Sequence, residues 1–486
     1  INLASADSVE RIAVTGRALS SIDVTSAEVS LNISADELGK MPIPRDVTSV
    51  ALLAPGVTKG DSRFGNFASF GGASAAENTM YINGLNVTNF RNGLGFSEVP
   101  YEFYDQFQVK TGGYSVEFGR STGGVVNAVT KSGTNTFQAG ASIYWKPDFL
   151  RSTSPNVLNA DGSYYAFNSE TEVGSTQANV WASGALVQDK LFYFVLFNPR
   201  NNDQKYQSGT GQNGYKYSND DAFWGGKIDW LINDNHKLEL LAFSDSSEGE
   251  TDSFTYDAAA KNFGDYLSTT TEKSGGDNWS LTYTGYITDA LTAKVMYGEN
   301  EYELSEGSNV LADCTMYLDA RQPTSLRPYG YATGCTTTAA YRGEAGSDKR
   351  EALRFDLEYL AGDHLIRAGM DREVNSSYSN QYWSGPTGDY AQILSVSPGV
   401  ALPNGATVPA DSNAIVRTRF RTVSGDFETI SSAYYLEDIW TITPQLTATI
   451  GLRNETFNNK NGAGDTFVKM SNQWAPRAGL SWDITG

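Results

Sequence analysis

The sequence has few histidines and cysteines and no long apolar run. It contains two His and two Cys among 486 residues, and His236 and His364 lie far from each other and from both cysteines. This spacing provides neither a zinc site nor a Ser-His-Asp arrangement, so we expect no metal and no catalytic residues. The longest apolar run, Leu191 to Phe197, has seven residues. A membrane-spanning helix needs about 20, which excludes a helical membrane protein.

Basic residues are scarce relative to acidic ones. The chain has 36 Lys and Arg against 56 Asp and Glu, which gives a formal charge of −20. Proteins that bind nucleic acid carry a surplus of positive charge because they must neutralise phosphates. We therefore expect no nucleic acid among the partners, and no motif in the sequence indicates a cofactor.

The two cysteines lie close together in a stretch rich in Thr, Gly and Pro. Cys314 and Cys335 are 21 residues apart. An even number of cysteines within one loop favours a disulfide in an oxidising compartment. Two unrelated free thiols are the alternative.

Aromatic and small residues are abundant, with 27 Tyr, 23 Phe, 9 Trp and 48 Gly, and the C-terminal two thirds of the chain alternates between apolar and polar residues. In one such segment Leu446, Ile450 and Leu452 share a face, while Thr449 and Arg453 share the other. This period of two predicts β-strands with one apolar face. About twelve strands are predicted, at residues 136–146, 176–187, 191–199, 222–231, 236–247, 277–288, 291–304, 350–360, 364–375, 430–442, 446–457 and 474–484.

The connections between these strands alternate between short turns and long polar loops. The short turns are predicted at residues 188–190, 233–235, 288–290, 361–363 and 443–445, and the long loops include 305–349 and 376–428. A soluble β-sandwich keeps its loops short at both ends, whereas an outer-membrane barrel has short turns at one end and long loops at the other. Segment 430–442 fits less well, since Leu436, Asp438 and Trp440 share a face; a bulge or an end effect is expected there.

Residues 21–135 indicate a small α+β domain. Ser34 and Glu37 have the spacing of a capping box, which predicts a helix start, and a second short helix is predicted from Asp46 to Leu53. Strand-like runs follow at residues 79–82, 106–110 and 125–129.

Several motifs in this region resemble those of TonB-dependent outer-membrane receptors. Glu10–Gly16 resembles the energy-coupling box, and Thr79–Gly84 is similar to a plug strand of that family, with Asn83 where Asp is commoner. Tyr104–Gly113, Glu117–Arg120 and Gly123–Lys131 together resemble the C-terminal motif of the plug. The amino-acid sequence of the plug and of residues 434–452 is most similar to the Oar-like branch of the family.

The resemblance implies a membrane β-barrel with an α+β plug domain inside its lumen. It divides the chain into a coupling-box segment and linker (1–20), the plug (21–135) and the N-terminal part of the barrel (136–486). Receptors of this family close a barrel of 22 antiparallel strands, and about twelve are found here. An open sheet would leave unpaired edges in lipid. We therefore expect that further strands are missing from the sequence; the alternative, a twelve-strand barrel, would be too narrow for the plug.

The resemblance also assigns candidate sites. Binding of the partner by strand addition is expected at the coupling box, Ile12, Ala13, Val14 and Thr15, with an ordinary first plug strand as the alternative. Candidate ligand contacts at the plug apex are Phe70, Gly71, Phe90 and Phe96, which could instead pack against barrel loops. Glu117 and Arg120 are candidate plug–barrel charge partners, or a solvated pair in a wet lumen.

The function implied is active import across the outer membrane of a Gram-negative bacterium. The expected partners are a TonB-type periplasmic energy-coupling protein, outer-membrane lipid, and a transported ligand such as a peptide, a glycan or another small molecule. The alternatives are an Oar-like channel or adhesion protein that handles a protein or peptide cargo, and a soluble, secreted β-sandwich binder. No enzymatic activity is expected.

Overall fold

The structure is a computed structural model of the chain. It describes residues 28–61, 67–162, 164–208, 213–309, 316–321, 340–342, 346–383, 389–420 and 422–484. None of the helices in these ranges is long and apolar enough to cross a membrane.

Residues 28–130 form a plug domain around a five-stranded sheet. Its strands are β1 (Val29–Ser34), β4 (Thr79–Ile82), β5 (Leu85–Asn86), β6 (Tyr104–Gly112) and β7 (Val125–Thr130), in the order β1-β6-β7-β4-β5. Strand β4 is parallel to β7, and the other pairs are antiparallel. Strands β2 (Val57–Lys59) and β3 (Ala68–Phe70) form a separate hairpin.

Two short helices pack on the plug sheet. Helix α1 (Ala35–Leu38) starts at the capping box predicted from Ser34 and Glu37: the Ser34 hydroxyl accepts a hydrogen bond from Glu37 N, and Ser34 N donates to the Glu37 carboxylate. Helix α2 (Val47–Ala51) is capped by the Asp46 side chain, which accepts from Ser49 N. Both helices start where the sequence supplies an acceptor for their first free N–H groups.

The other described residues form a large antiparallel sheet and two small sheets, β9 with β10 and β20 with β24 and β25. The sixteen-stranded sheet has the path β17-β16-β13-β12-β14-β15-β18-β19-β22-β23-β26-β27-β28, with β8 and β11 joined through β12, and β21 through β23. The strands are β8 (Gln138–Lys146), β9 (Val157–Leu158), β10 (Tyr164–Ala166), β11 (Glu172–Val187), β12 (Leu191–Gln207), β13 (Asn213–Asn219), β14 (Ala222–Asn233), β15 (His236–Ser244), β16 (Ser247–Asp257), β17 (Asn262–Gly275), β18 (Asp277–Thr288), β19 (Leu291–Ser308), β20 (Met316–Asp319), β21 (Ala340–Arg342), β22 (Ser347–Ala361), β23 (His364–Trp383), β24 (Asp389–Ser395), β25 (Ala414–Phe420), β26 (Thr422–Thr443), β27 (Leu446–Lys460) and β28 (Thr466–Trp482).

Twelve of these strands make up the wall around the plug, and each overlaps one of the predicted segments. They are β8, β11, β12, β14, β15, β18, β19, β22, β23, β26, β27 and β28. We call the end of the wall with the predicted short turns the short-turn edge, and the opposite end the long-loop edge. Among the described residues β8 pairs only with β11, and β28 only with β27.

Alternation along the wall separates an apolar outer face from an inner face that contacts the plug. In β12, Val195 and Phe197 are exposed on the outer face, while Phe194 and Leu196 are buried on the inner face. In β27, Ile450 is 63% exposed and Arg453 is 1% exposed. This is the pattern of a sheet whose apolar face meets lipid and whose polar face lines a lumen.

Strand β26 is regular at the position where the sequence suggested a bulge. Leu436, Asp438 and Trp440 lie on the outer face and pair in uninterrupted register with β23 and β27; the register with β27 shifts only between Thr441 and Thr443, next to the turn. Of the two alternatives for segment 430–442, a bulge at these three residues is absent, and the register shift lies at the end of the strand. Asp438 lies near the strand end, where its carboxylate is 2.8 Å from Nδ1 of His364.

Candidate functional site

A plug segment with several contacts to the barrel wall follows strand β6. We call residues 113–124 the latch loop. Its own hydrogen bonds keep it compact: the Tyr114 hydroxyl donates to the Ser121 carbonyl (2.8 Å), and the Ser121 hydroxyl donates to the Gly124 carbonyl (3.0 Å). Arg120 has a positive φ of 57°. The Phe118 ring packs edge-on against Tyr81 of strand β4, with 5.5 Å between ring centroids, which fixes the loop to the plug sheet.

Arg120 of the latch loop forms ion pairs with two carboxylates of strand β23. Its Nη1 donates to Glu373 (2.7 Å), and its Nη2 donates to Asp371 (3.0 Å). Burial works against the charge of the guanidinium, but the two carboxylates raise the pKa of Arg120 above its usual value. The Arg120 guanidinium therefore stays charged, and it is largely shielded from bulk water.

Glu117 contacts the neighbouring strand. Its carboxylate accepts a hydrogen bond from Arg354 Nη2 of β22 (2.5 Å), and Arg354 also pairs with Asp356. Burial alone would raise the pKa of Glu117, but the cationic groups of Arg354, Arg367 and Lys110 together hold it below its usual range. Glu117 and Arg120 thus both bind charged side chains of the barrel wall.

Two further barrel residues hold the backbone of the latch loop. Arg453 of β27 donates from Nη1 to the carbonyls of Val116 and Glu117 (3.2 Å each) and from Nη2 to Asp371. The Glu437 carboxylate of β26 accepts from the Val116 N–H (3.1 Å). Neither Arg453 nor Glu437 was predicted from the sequence to belong to a site. The pattern that could have indicated them is a charged residue on the non-apolar face of an alternating strand.

The polar contacts continue toward the long-loop edge. Arg350 of β22 donates from Nη1 to the Asn86 carbonyl (2.7 Å), and its Nε lies 3.3 Å from Glu373. Beyond it, the Arg91 guanidinium of the plug pairs with the buried Asp348 at 2.6 Å. The plug is therefore bound to strands β22 and β23 by several charged groups.

Strands β12, β14 and β15 hold the plug mainly by apolar contacts. The Phe103 ring is fully buried against Phe194, Phe223 and Phe243 of strands β12, β14 and β15, with ring centroids 5.6–6.3 Å apart. Nearby, Asn83 Nδ2 donates to Glu239 (2.8 Å). The plug is therefore held at two parts of the wall, by apolar contacts at strands β12, β14 and β15 and by charged groups at strands β22 and β23.

The candidate apex residues do not form one site. Phe70 is only 4% exposed, and it lines a cavity of about 40 Å³ together with Phe96. Gly71 follows with a positive φ of 59°. Phe90 lies elsewhere, with its ring 5.4 Å from the Arg350 guanidinium carbon. Their contribution to ligand binding stays a prediction.

The other predicted sites lie outside the described residues. This applies to the coupling box Ile12–Thr15 and to both Cys314 and Cys335. Among the residues that the structure describes, no three His, Cys, Asp or Glu side chains are grouped as metal ligands.

Comparison with known proteins agrees with this architecture. A family model described as an outer membrane beta barrel domain matches residues 196–468, more than half of the chain, and one described as the TonB-dependent receptor plug domain matches residues 21–126. The TonB-dependent transporter Oar of Myxococcus xanthus is 25% identical over 552 residues, which cover 95% of this chain and 50% of that protein. The ferrienterobactin receptor of Escherichia coli K12 is 26% identical over 194 residues, covering 33% of this chain and 26% of that protein.

Solved structures show the same fold. The outer membrane transporter YddB from Escherichia coli has a TM-score of 0.57 at 14% identity, covering 94% of this chain and 59% of that one. The alcaligin receptor FauA from Bordetella pertussis has a TM-score of 0.56 at 12% identity, covering 95% and 61%. The chain spans about half the length of the Oar relative.

Proposed function

Because this chain belongs to the TonB-dependent receptors of the Gram-negative outer membrane, we propose that it imports a ligand with energy from a TonB-type periplasmic protein. The observation that carries the proposal is the pairing of Arg120 with Asp371 and Glu373, which attaches the plug to strand β23 through partly buried charges. Separating such groups from their partners is costly, so opening the lumen requires an external source of energy.

The coupling box supplies the place where that energy would enter. Residues Ile12, Ala13, Val14 and Thr15 are β-prone within a polar segment, which suits pairing with the sheet edge of the partner. We propose that the chain is divided into a box segment and linker (1–20), a plug (21–135) and a barrel portion (136–486). The proposal also includes closure of the wall into 22 strands, since β8 and β28 each have one unpaired edge among the described residues and open edges are unfavourable in lipid.

A second candidate function is transport or display of a protein or peptide by an Oar-like protein. The match to the Oar transporter covers 95% of this chain, whereas the match to the ferrienterobactin receptor covers 33%. The acidic, Tyr-rich and Asn-rich loops also suit peptides, glycans or cationic cargo better than anionic siderophores. For both candidate functions, the cargo would bind at the plug apex and the outer loops.

Uptake by intact cells tests the proposal. Cells that produce the protein are given a fluorescent oligopeptide, a fluorescent oligosaccharide or a ferric siderophore, with and without a protonophore. We expect accumulation of one of the first two probes, and its loss when the proton gradient is collapsed. Uptake that is unchanged by the protonophore or by deletion of the TonB-type protein would contradict energy coupling, and accumulation of the siderophore alone would contradict the proposed cargo class.

A further inference from the structure

The beginning of the described chain is bonded directly to the latch loop. Glu28 precedes strand β1, and its carboxylate accepts hydrogen bonds from the Ser115 N–H (3.0 Å) and from Lys110 Nζ (2.6 Å). The Ser115 hydroxyl in turn donates to Glu437 of the barrel (2.8 Å). Ser115 therefore connects the Glu28 carboxylate, which follows the N-terminal segment, to the barrel wall.

Lys110 depends on Glu28 for its counter-charge. Its side chain is 5% exposed, and Glu28 is its ion-pair partner among the described residues; the Lys110 Nζ also lies 5.1 Å from the centre of the Phe118 ring. Lys110 is one of the cations that keep Glu117 ionised. Glu117 is the plug partner of Arg354, so Lys110 and Arg354 act on the same carboxylate.

We infer that the Glu28–Lys110 ion pair couples the N-terminal segment to the plug–barrel contact, and that Lys110 transmits the loss of Glu28 to the Glu117–Arg354 pair. This rests on the proposed function, in which the partner draws on that segment. When Glu28 is withdrawn, the Lys110 ammonium is left buried without its counter-charge, which is strongly unfavourable. It then competes with Arg354 for Glu117, while the Ser115 N–H loses its acceptor. Both changes weaken the hold of the barrel on the latch loop.

Hydrogen exchange of residues 113–120 tests this coupling in the whole protein in lipid nanodiscs, without a partner or a ligand. Glu28→Gln reproduces the loss of charge, and we expect the amides of this segment to exchange several-fold faster than in the wild type. In the double variant Glu28→Gln/Lys110→Met the unpaired ammonium is removed as well, so exchange should return close to the wild-type rate. Such a rescue is not expected if Glu28 only stabilises the loop through its hydrogen bonds.

Glu102→Gln is the matched control. Glu102 is also a plug carboxylate in an ion pair, with Arg45 at 3.3 Å, but it does not contact the latch loop. This variant should leave the exchange of residues 113–120 unchanged. Wild-type exchange in Glu28→Gln, or a double variant that exchanges as fast as the single one, would overturn the inference. Binding of the partner's purified periplasmic domain to the wild type is measured separately, because its absence would refute the proposed function and not the coupling within the plug.

Discussion

Arg120 and Glu373 form an ion pair between plug and barrel that joins residues 253 positions apart in the chain, with Nη1 2.7 Å from the carboxylate. Asp371 completes the site, and Arg453 reaches the same aspartate from the next strand but one. The plug therefore provides one cation to a wall that already carries both signs of charge. Loss of that cation leaves two carboxylates with fewer counter-charges than they have in the closed state.

Arg120→Ala should weaken the attachment of the plug. Removing one partner of a buried ion pair costs about 3–5 kcal/mol when its counter-charge is left uncompensated, and we expect a smaller cost here because Arg453 and Arg350 still face Asp371 and Glu373. Single-channel recordings in planar bilayers should show larger and more frequent conductance steps for this variant than for the wild type. Arg120→Lys keeps the charge but loses the two-pronged geometry, so its conductance should lie between the two. A variant as tightly closed as the wild type would show that Arg120 does not hold the plug.

Acid should loosen the latch loop through Glu117. Its pKa is lowered in the folded protein, so its contribution to stability is complete above the ordinary value of 4.5 and is lost as the pH falls through the lower folded value. Protease cleavage within residues 113–124 should therefore rise in that acidic range. Glu117→Gln should be cleaved faster than the wild type at neutral pH, with a smaller further increase on acidification. An equal pH dependence in both proteins would exclude Glu117 as the responsible group.

In strands such as β27, alternation of residue type was sufficient to predict which residues face inward, but it could not predict their plug partners. Arg453 falls on the non-apolar face of its segment because side chains alternate with a period of two. Its partner, the Val116 carbonyl, is 337 residues away, and that contact depends on how the folded plug docks. Phe70 shows the converse problem: a Gly- and Phe-rich run resembled a ligand loop, yet its ring is buried in the plug against Gly124. Asp438 interrupts the apolar face of its segment. Its partner, His364, could not be predicted because it lies on another strand.

Phe103→Ala should release the plug from strands β12, β14 and β15. The side chain is fully buried among three phenylalanines, so truncation should cost about 3–5 kcal/mol of plug stability. Thermal unfolding followed by the exchange of plug amides should show a lower midpoint, while barrel amides keep theirs. Phe103→Leu, which keeps most of the buried volume, should have a smaller effect. If both variants melt like the wild type, the cluster does not anchor the plug.

Cys314 and Cys335 should be joined by a disulfide. Both cysteines fall within the predicted loop 305–349, and the outer-membrane location exposes that loop to an oxidising environment. In the chain-entropy model, closing a loop of this size removes roughly 3 kcal/mol of conformational freedom from the unfolded chain. Alkylation of the unfolded, unreduced protein should label neither cysteine, and prior reduction should expose both. Labelling of two thiols without reduction would contradict the pairing.

A proline in the coupling box should separate energy coupling from closure of the lumen. Strand addition uses backbone N–H groups, so Val14→Pro removes a donor and disfavours pairing, whereas Val14→Thr keeps both the donor and the β-branch. We expect Val14→Pro to abolish binding of the partner's periplasmic domain and energised uptake while conductance stays at the wild-type level, and Val14→Thr to be mild. In an ordinary plug strand the same proline would instead destabilise the plug and raise conductance. Normal partner binding by Val14→Pro would show that residues 12–15 are not the coupling box.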